Sequence, residues 1–121
     1  MKIQNILFTL IFMLAATTQA QAHAFLDHSD PKVGSTVGSS PTQVKIWFTE
    51  ELEAAFSKIR VYDSTGKEVD SKDVKVDPTD KAIMMVSVPS LAPGTYKVHW
   101  NAVAVDTHHT SGNFEFTVKG A

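Results

Sequence analysis

Two groups of residues in this chain have the types and the placement to hold a metal ion. The first is His23. The stretch before it carries Lys2 as its one charged side chain, an apolar run from Ile6 to Ala16, and the ending Ala20-Gln21-Ala22. A charged start, a short apolar core and small residues before a cut mark a secretory signal peptide that is removed from the mature protein. The apolar run falls well short of the ~20 residues a membrane-spanning helix needs. Cleavage after Ala22 would leave residues 23–121 and make His23 the first residue. Its free α-amine and its imidazole Nδ1 could then close one chelate ring on a metal. An internal histidine cannot do this, because its backbone nitrogen is an amide. The α-amine titrates at roughly 7.7–8.0, so it is partly protonated near neutrality. Cu(II) can displace that proton, standing at the top of the divalent affinity order, and its tetragonal preference suits two nitrogens in one plane.

The second group is Asp106-Thr107-His108. In an extended backbone, residues i and i+2 point to the same side, about 6.6–6.8 Å apart along the strand. That spacing predicts that Asp106 and His108 converge on one ion. Two nitrogens from His23, a third from His108 and an oxygen from Asp106 favour Cu(II) over Cu(I), since no thiolate or thioether takes part. The carboxylate also cancels part of the metal charge.

These residues must be positioned by a single small domain, since the whole chain is 121 residues long. It contains 13 acids and 11 bases for a net charge of −2, with 43% hydrophobic residues. No basic surface is available for a nucleic-acid partner. Cysteine is absent, so an exported domain of this sequence folds without disulfides and has no thiolate site.

The elements read as strands. Val44, Ile46 and Phe48 alternate with Lys45 and Trp47. Ile59 and Val61 alternate with Lys58 and Arg60. Tyr96, Val98, Trp100, Ala102 and Ala104 alternate with Lys97, His99 and Asn101, and Phe114, Phe116 and Val118 with Glu115 and Thr117. A period of two marks strands with one face on a core. Ala82–Val88 is apolar on both faces, as a central strand would be. Turn residues separate these segments at Asp30-Pro31, Gly34, Gly38, Ser40-Pro41, Ser64-Thr65-Gly66, Asp77-Pro78 and Ala92-Pro93-Gly94. Glu50–Ser57 could form one helical turn and reads as a loop. Short strands at regular spacing without helical partners predict an all-β sandwich.

At this point a resemblance becomes specific. The start His23-Ala24-Phe25-Leu26 with Ser29-Asp30-Pro31-x-x-Gly34 resembles the opening of CopC-type periplasmic copper-binding proteins. Val44-Lys45-Ile46-Trp47-Phe48-Thr49-Glu50 is similar to their second strand and the acid that follows it. Gly94-Thr95-Tyr96-x-Val98-x-Trp100 and Asp106-Thr107-His108-x-x-x-Gly112-x-Phe114-x-Phe116 resemble their closing segment. The resemblance runs across essentially all of residues 23–121. It implies an immunoglobulin-like Greek-key sandwich of about seven strands that binds one Cu(II) through His23, Asp106 and His108. Glu50 matches the acid that lies near the N-terminal ligand in such proteins, where it could hydrogen-bond the α-amine. The resemblance further implies a periplasmic, non-enzymatic role in copper resistance and homeostasis, with an inner-membrane copper transporter as partner in some members.

Two departures stand out. Some members carry a methionine-rich loop for Cu(I), whereas residues 23–121 hold only Met84 and Met85. Adjacent strand residues face opposite ways, so core packing is the reading for this pair. His109 stands where the family often has proline, as an auxiliary ligand or a solvent-exposed neighbour; His108 has the family's spacing from Asp106. His28 and His99 read as surface residues, and the environments of Trp47 and Trp100 stay open. No interface is obvious, so a monomer is expected. Two other function classes remain at this point: a copper-dependent oxidative enzyme of the N-terminal-histidine type, and a metal-free immunoglobulin-like interaction module.

Overall fold

Residues 24–120 are described by the computed structural model. His23 and the expected signal segment 1–22 lie outside the described residues. Eight strands follow in order: β1 (Leu26–Asp30), β2 (Thr36–Val37), β3 (Gln43–Phe48), β4 (Lys58–Tyr62), β5 (Lys75–Val76), β6 (Ile83–Ser87), β7 (Gly94–Val103) and β8 (His109–Val118). They form two four-stranded sheets, ordered β1-β3-β6-β5 and β2-β8-β7-β4. The expected all-β sandwich is what the chain adopts, with two of the eight strands only two residues long.

The alternation read from the sequence is what packs the core. Val44, Ile46 and Phe48 of β3 are buried, and so are Ile59 and Val61 of β4 and the even-numbered residues from Tyr96 to Ala102 on β7. Phe114, Phe116 and Val118 of β8 complete the facing layer. Tyr96 stacks on Phe116 at 5.6 Å, and Phe48 meets the edge of Trp100 at 5.2 Å. β6 lies between β3 and β5, which accounts for its apolar run. Met84 is buried and Met85 only half-buried, as opposite faces of one strand require. The Glu50–Ser57 segment is a loop with a single turn, in which the amides of Phe56 and Ser57 donate to the Glu53 carbonyl at 3.2 and 3.1 Å.

β7 and β8 form the longest antiparallel ladder, ten paired residues from Gly94↔Val118 to Val103↔His109. Within it Trp100 pairs with Gly112. A β-carbon on Gly112 would lie 2.6 Å from Cζ2 of the buried Trp100 indole. Glycine is therefore required here for space. The indole occupies the volume that any other residue would fill.

Three surface turns are organised by carboxylates. Asp63 accepts from the Thr65 hydroxyl at 2.6 Å and from the amides of Thr65 and Lys67 at 2.9 and 3.0 Å. Asp77 accepts from the Thr79 hydroxyl and amide, both at 2.8 Å, and Asp73 from the Ser87 amide at 2.8 Å. These hydrogen bonds hold all three carboxyls below the usual carboxylate range, led by the partnership with Thr65 for Asp63, Ser87 for Asp73 and Thr79 for Asp77.

Gly112→Ala should lower the unfolding free energy by about 1–3 kcal/mol, the usual cost of overpacking; a thermal melt no different from the parent would show that Trp100 can move aside. For Asp63, Asp73 and Asp77 the folded pKa lies below the unfolded value of roughly 3.9. Their contribution is thus complete above that value and is lost as pH falls through the lower folded one. Urea midpoints measured from pH 6 to pH 2.5 should fall across the acid end, and Asp63→Asn with Asp77→Asn should flatten that fall.

Candidate metal centre

The Asp106–His108 pair is brought together by a turn. β7 ends at Val103 and β8 begins at His109; between them the Thr107 amide donates to the Ala104 carbonyl at 2.8 Å and the Ala104 amide to the His108 carbonyl at 3.0 Å. The expectation of an extended i, i+2 arrangement is corrected here: residues 105–108 lie outside any strand. Thr107 takes a φ of 75°, a left-handed conformation that a β-branched side chain disfavours by roughly 1–3 kcal/mol. That kink folds the two flanking side chains toward each other. Asp106 Oδ1 accepts the His108 amide at 3.2 Å, and Oδ2 lies 2.9 Å from His108 Nδ1. In the tautomer with its proton on Nδ1, the imidazole donates to the carboxylate and turns the Nε2 lone pair outward. A carboxylate behind one ring nitrogen fixes the orientation of the ring. The His108 and Asp106 side chains are 56% and 35% exposed, so an ion could reach them from solvent.

The chain segment next to His23 reaches the same end of the sandwich. Ala24 is fully buried, and its carbonyl accepts a hydrogen bond from the Thr110 hydroxyl on β8, two residues beyond His108. The Phe25 amide donates to Thr49 Oγ1 at 3.0 Å, and the Thr49 amide returns a bond to the Phe25 carbonyl at 2.9 Å. Leu26 pairs with Phe48. The exposed Glu50 follows Thr49 in the bend that ends β3. The Glu51 carbonyl then takes the Val105 amide at 3.2 Å, and Leu52 bridges to Ala104. The segment after β3 therefore runs beside both Ala24 and the Asp106 turn.

The remaining histidines are elsewhere. His109 opens β8 opposite Val103. By strand alternation it shares the outward face with Ser111 and Asn113, while Thr110 belongs to the inward phase. His99 bonds Asn113 on that outward face, Nδ1 to Oδ1 at 2.7 Å. His28 stacks on Trp47 at 4.3 Å with its Nδ1 2.7 Å from Asp27 Oδ2, and Lys45 Nζ lies 4.9 Å from the Trp47 ring. Trp47 is thus a half-buried residue on the outside of its sheet, and Trp100 belongs to the core.

Among the described residues no three His, Cys, Asp or Glu side chains gather as a metal-holding group. Asp106 and His108 form a pair of such side chains. Sequence reasoning passed over Thr110 and Thr49, the two hydroxyls that seat residues 24 and 25. The signal for Thr110 was present: it is a polar residue at an even-numbered position of β8, where the core phase lies.

The CopC domain profile matches residues 26–119. The chain is 37% identical over 108 residues to copper resistance protein C of Pseudomonas syringae pv. tomato, covering 83% of each chain. It is 34% identical to the copper transport protein CutJ of Bacillus subtilis over 90% of its own length, but spans only 20% of that longer protein. The crystal structure of CopC from Methylosinus trichosporium OB3b superposes with a TM-score of 0.76 at 35% identity, covering 80% of this chain and 94% of that one.

Proposed function

The chain belongs to the CopC family, and from that premise we propose that it is a periplasmic Cu(II)-binding protein that sequesters or carries copper in resistance and homeostasis. The observation that carries the reading is the seating of Ala24. Its buried methyl and its carbonyl bond to Thr110 hold the residue next to His23 beside the strand that follows His108. Consecutive Cα atoms are ~3.8 Å apart, so a His23 at the start of a processed chain has little freedom to be far from that strand.

In this reading residues 1–22 are a cleaved signal peptide, and residues 23–121 form the copper-binding domain. The His23 α-amine and Nδ1 chelate one Cu(II), His108 adds a nitrogen, and Asp106 adds an oxygen in exchange for its hydrogen bond to His108 Nδ1. These nitrogen and oxygen donors fit Cu(II) better than Cu(I). Glu50, next to the Thr49 that binds the Phe25 amide, orients the α-amine by hydrogen bonding, and outer partners of this kind hold ligands in place. His109 faces outward and plays at most an auxiliary part.

The role is carriage and needs no catalytic group; the protein acts as a monomer. An inner-membrane copper transporter is the proposed partner. A relative named as a copper transport protein, in which a domain like this one is a small part of a longer chain, supports handover between such a domain and a transport component.

The deciding experiment compares Cu(II) affinity, by competition with a chelator, for protein beginning at His23 and for protein with one alanine added before it. The extension turns the amine into an amide. Loss of a partner that merely supports a metal ligand costs about 10–100-fold, so loss of a direct ligand should cost at least as much. Equal affinities for the two forms would remove the N-terminal chelate from consideration. In the same assay His108→Ala should weaken binding by a similar factor, whereas His28→Ala should leave it unchanged. A loss on changing His28 and none on changing His108 would place the ion elsewhere.

A further inference from the structure

We propose that Thr110 is a positioning residue for the copper chelate, acting through the carbonyl of Ala24; this rests on the reading that the processed chain begins at His23. Thr110 occupies the inward phase of β8, the row that continues as Gly112, Phe114 and Phe116. Its strand partner is the buried Ala102. An apolar residue would satisfy that position. The hydroxyl there has a specific use, because it donates to Ala24, 86 residues away in sequence.

The geometry gives this single bond leverage over the site. Ala24 and Phe25 are held by two hydroxyls, Thr110 from one sheet and Thr49 from the end of β3 in the other. Thr49 holds the Phe25 amide and the Phe25 carbonyl, which belong to two successive peptide planes. Thr110 holds the Ala24 carbonyl, the other polar edge of the plane that carries the Phe25 amide, so that plane is gripped from both sheets. That leaves few rotatable backbone bonds between the anchored carbonyl and the His23 amine. Thr110 also lies two residues from His108 on one continuous backbone. One short piece of chain, residues 108–110, therefore carries an imidazole donor and the anchor of the opposing chelate. The anchor at Ala24 and the imidazole of His108 are thus tied to one strand before an ion arrives. Preorganisation of this kind strengthens binding by reducing the ordering cost at the moment of association.

Valine tests the role cleanly, since it keeps the shape and the β preference of threonine and removes the donor. Thr110→Val should weaken Cu(II) binding by about 10–100-fold, the range for outer partners of metal ligands, and should alter the Cu(II) electron paramagnetic resonance hyperfine pattern. In the metal-free protein it should shift the Ala24 carbonyl-carbon resonance and speed hydrogen exchange at the Phe25 amide. Thr110→Ser, which restores the hydroxyl, should recover most of the affinity and the parent spectrum. If valine is not accommodated, Thr110→Ala against Thr110→Ser makes the same comparison at smaller volume.

A threonine that only packs would lower the melting temperature and leave the copper spectrum of the folded fraction untouched, which would overturn the proposal. So would parental affinity in Thr110→Val. The alanine-extended parent, measured beside these variants, separates the two levels. If the extension is harmless, the chelate reading itself fails. If the extension abolishes tight binding while Thr110→Val does not, only the positioning role is lost.

Discussion

The attachment of residues 24 and 25 to both sheets is the contact on which the candidate centre depends. Asp106 and His108 by themselves are a surface pair with two donors. They become part of a larger donor set only if the N-terminal segment is held at the same end of the sandwich. The fold does this with a buried methyl, one hydroxyl from β8 and a reciprocal bond pair at the end of β3. Each of these is modest: a net hydrogen bond contributes about 0.5–1.5 kcal/mol. Their value lies in direction, since together they fix two successive peptide planes.

The Asp106 turn shows the complementary device. Thr107 is kept in a disfavoured conformation because the bonds around it all require it. Its own amide binds Ala104, the His108 amide binds Asp106, and the His108 carbonyl receives the Ala104 amide. The ten-pair ladder of β7 and β8 fixes both ends of the loop. Local strain is tolerated where the surroundings over-determine it, and its product is a carboxylate set against one imidazole nitrogen. The pair remains open to solvent.

Much of the architecture was legible in the sequence because a half-buried strand writes its two faces into alternating residues. β3, β4, β7 and β8 all followed that pattern, and β6 declared its central place by being apolar throughout. β1 was less legible as a strand: its pairing with β3 shifts register between Leu26 and His28, and a bulge of that kind breaks the period of two. The partnership of Asp106 with His108 was legible, but its route was not. Nothing in the triplet distinguishes an extended segment from a turn, and a positive φ at threonine runs against local propensity. The outward Trp47 could not be placed, since its cover comes from His28 and Lys45 on different strands. Thr110 was overlooked for a related reason: its partner is a backbone carbonyl, and a carbonyl has no residue type to read.

The bond from Thr110 to Ala24 also has a bearing on the order in which the structure forms. The β7–β8 hairpin closes over a turn of a few residues, whereas the Ala24 contact closes a loop of 86. Logarithmic scaling makes the longer closure costlier by roughly 2–3 kcal/mol in chain entropy, with only a few bonds to offset it. The imidazole and carboxylate are thus assembled early, with the local hairpin, and the N-terminal segment joins them late. The contact that seats Ala24 on β8 is therefore among the last the folding chain acquires, and it is the first to be lost when the N-terminal segment frays.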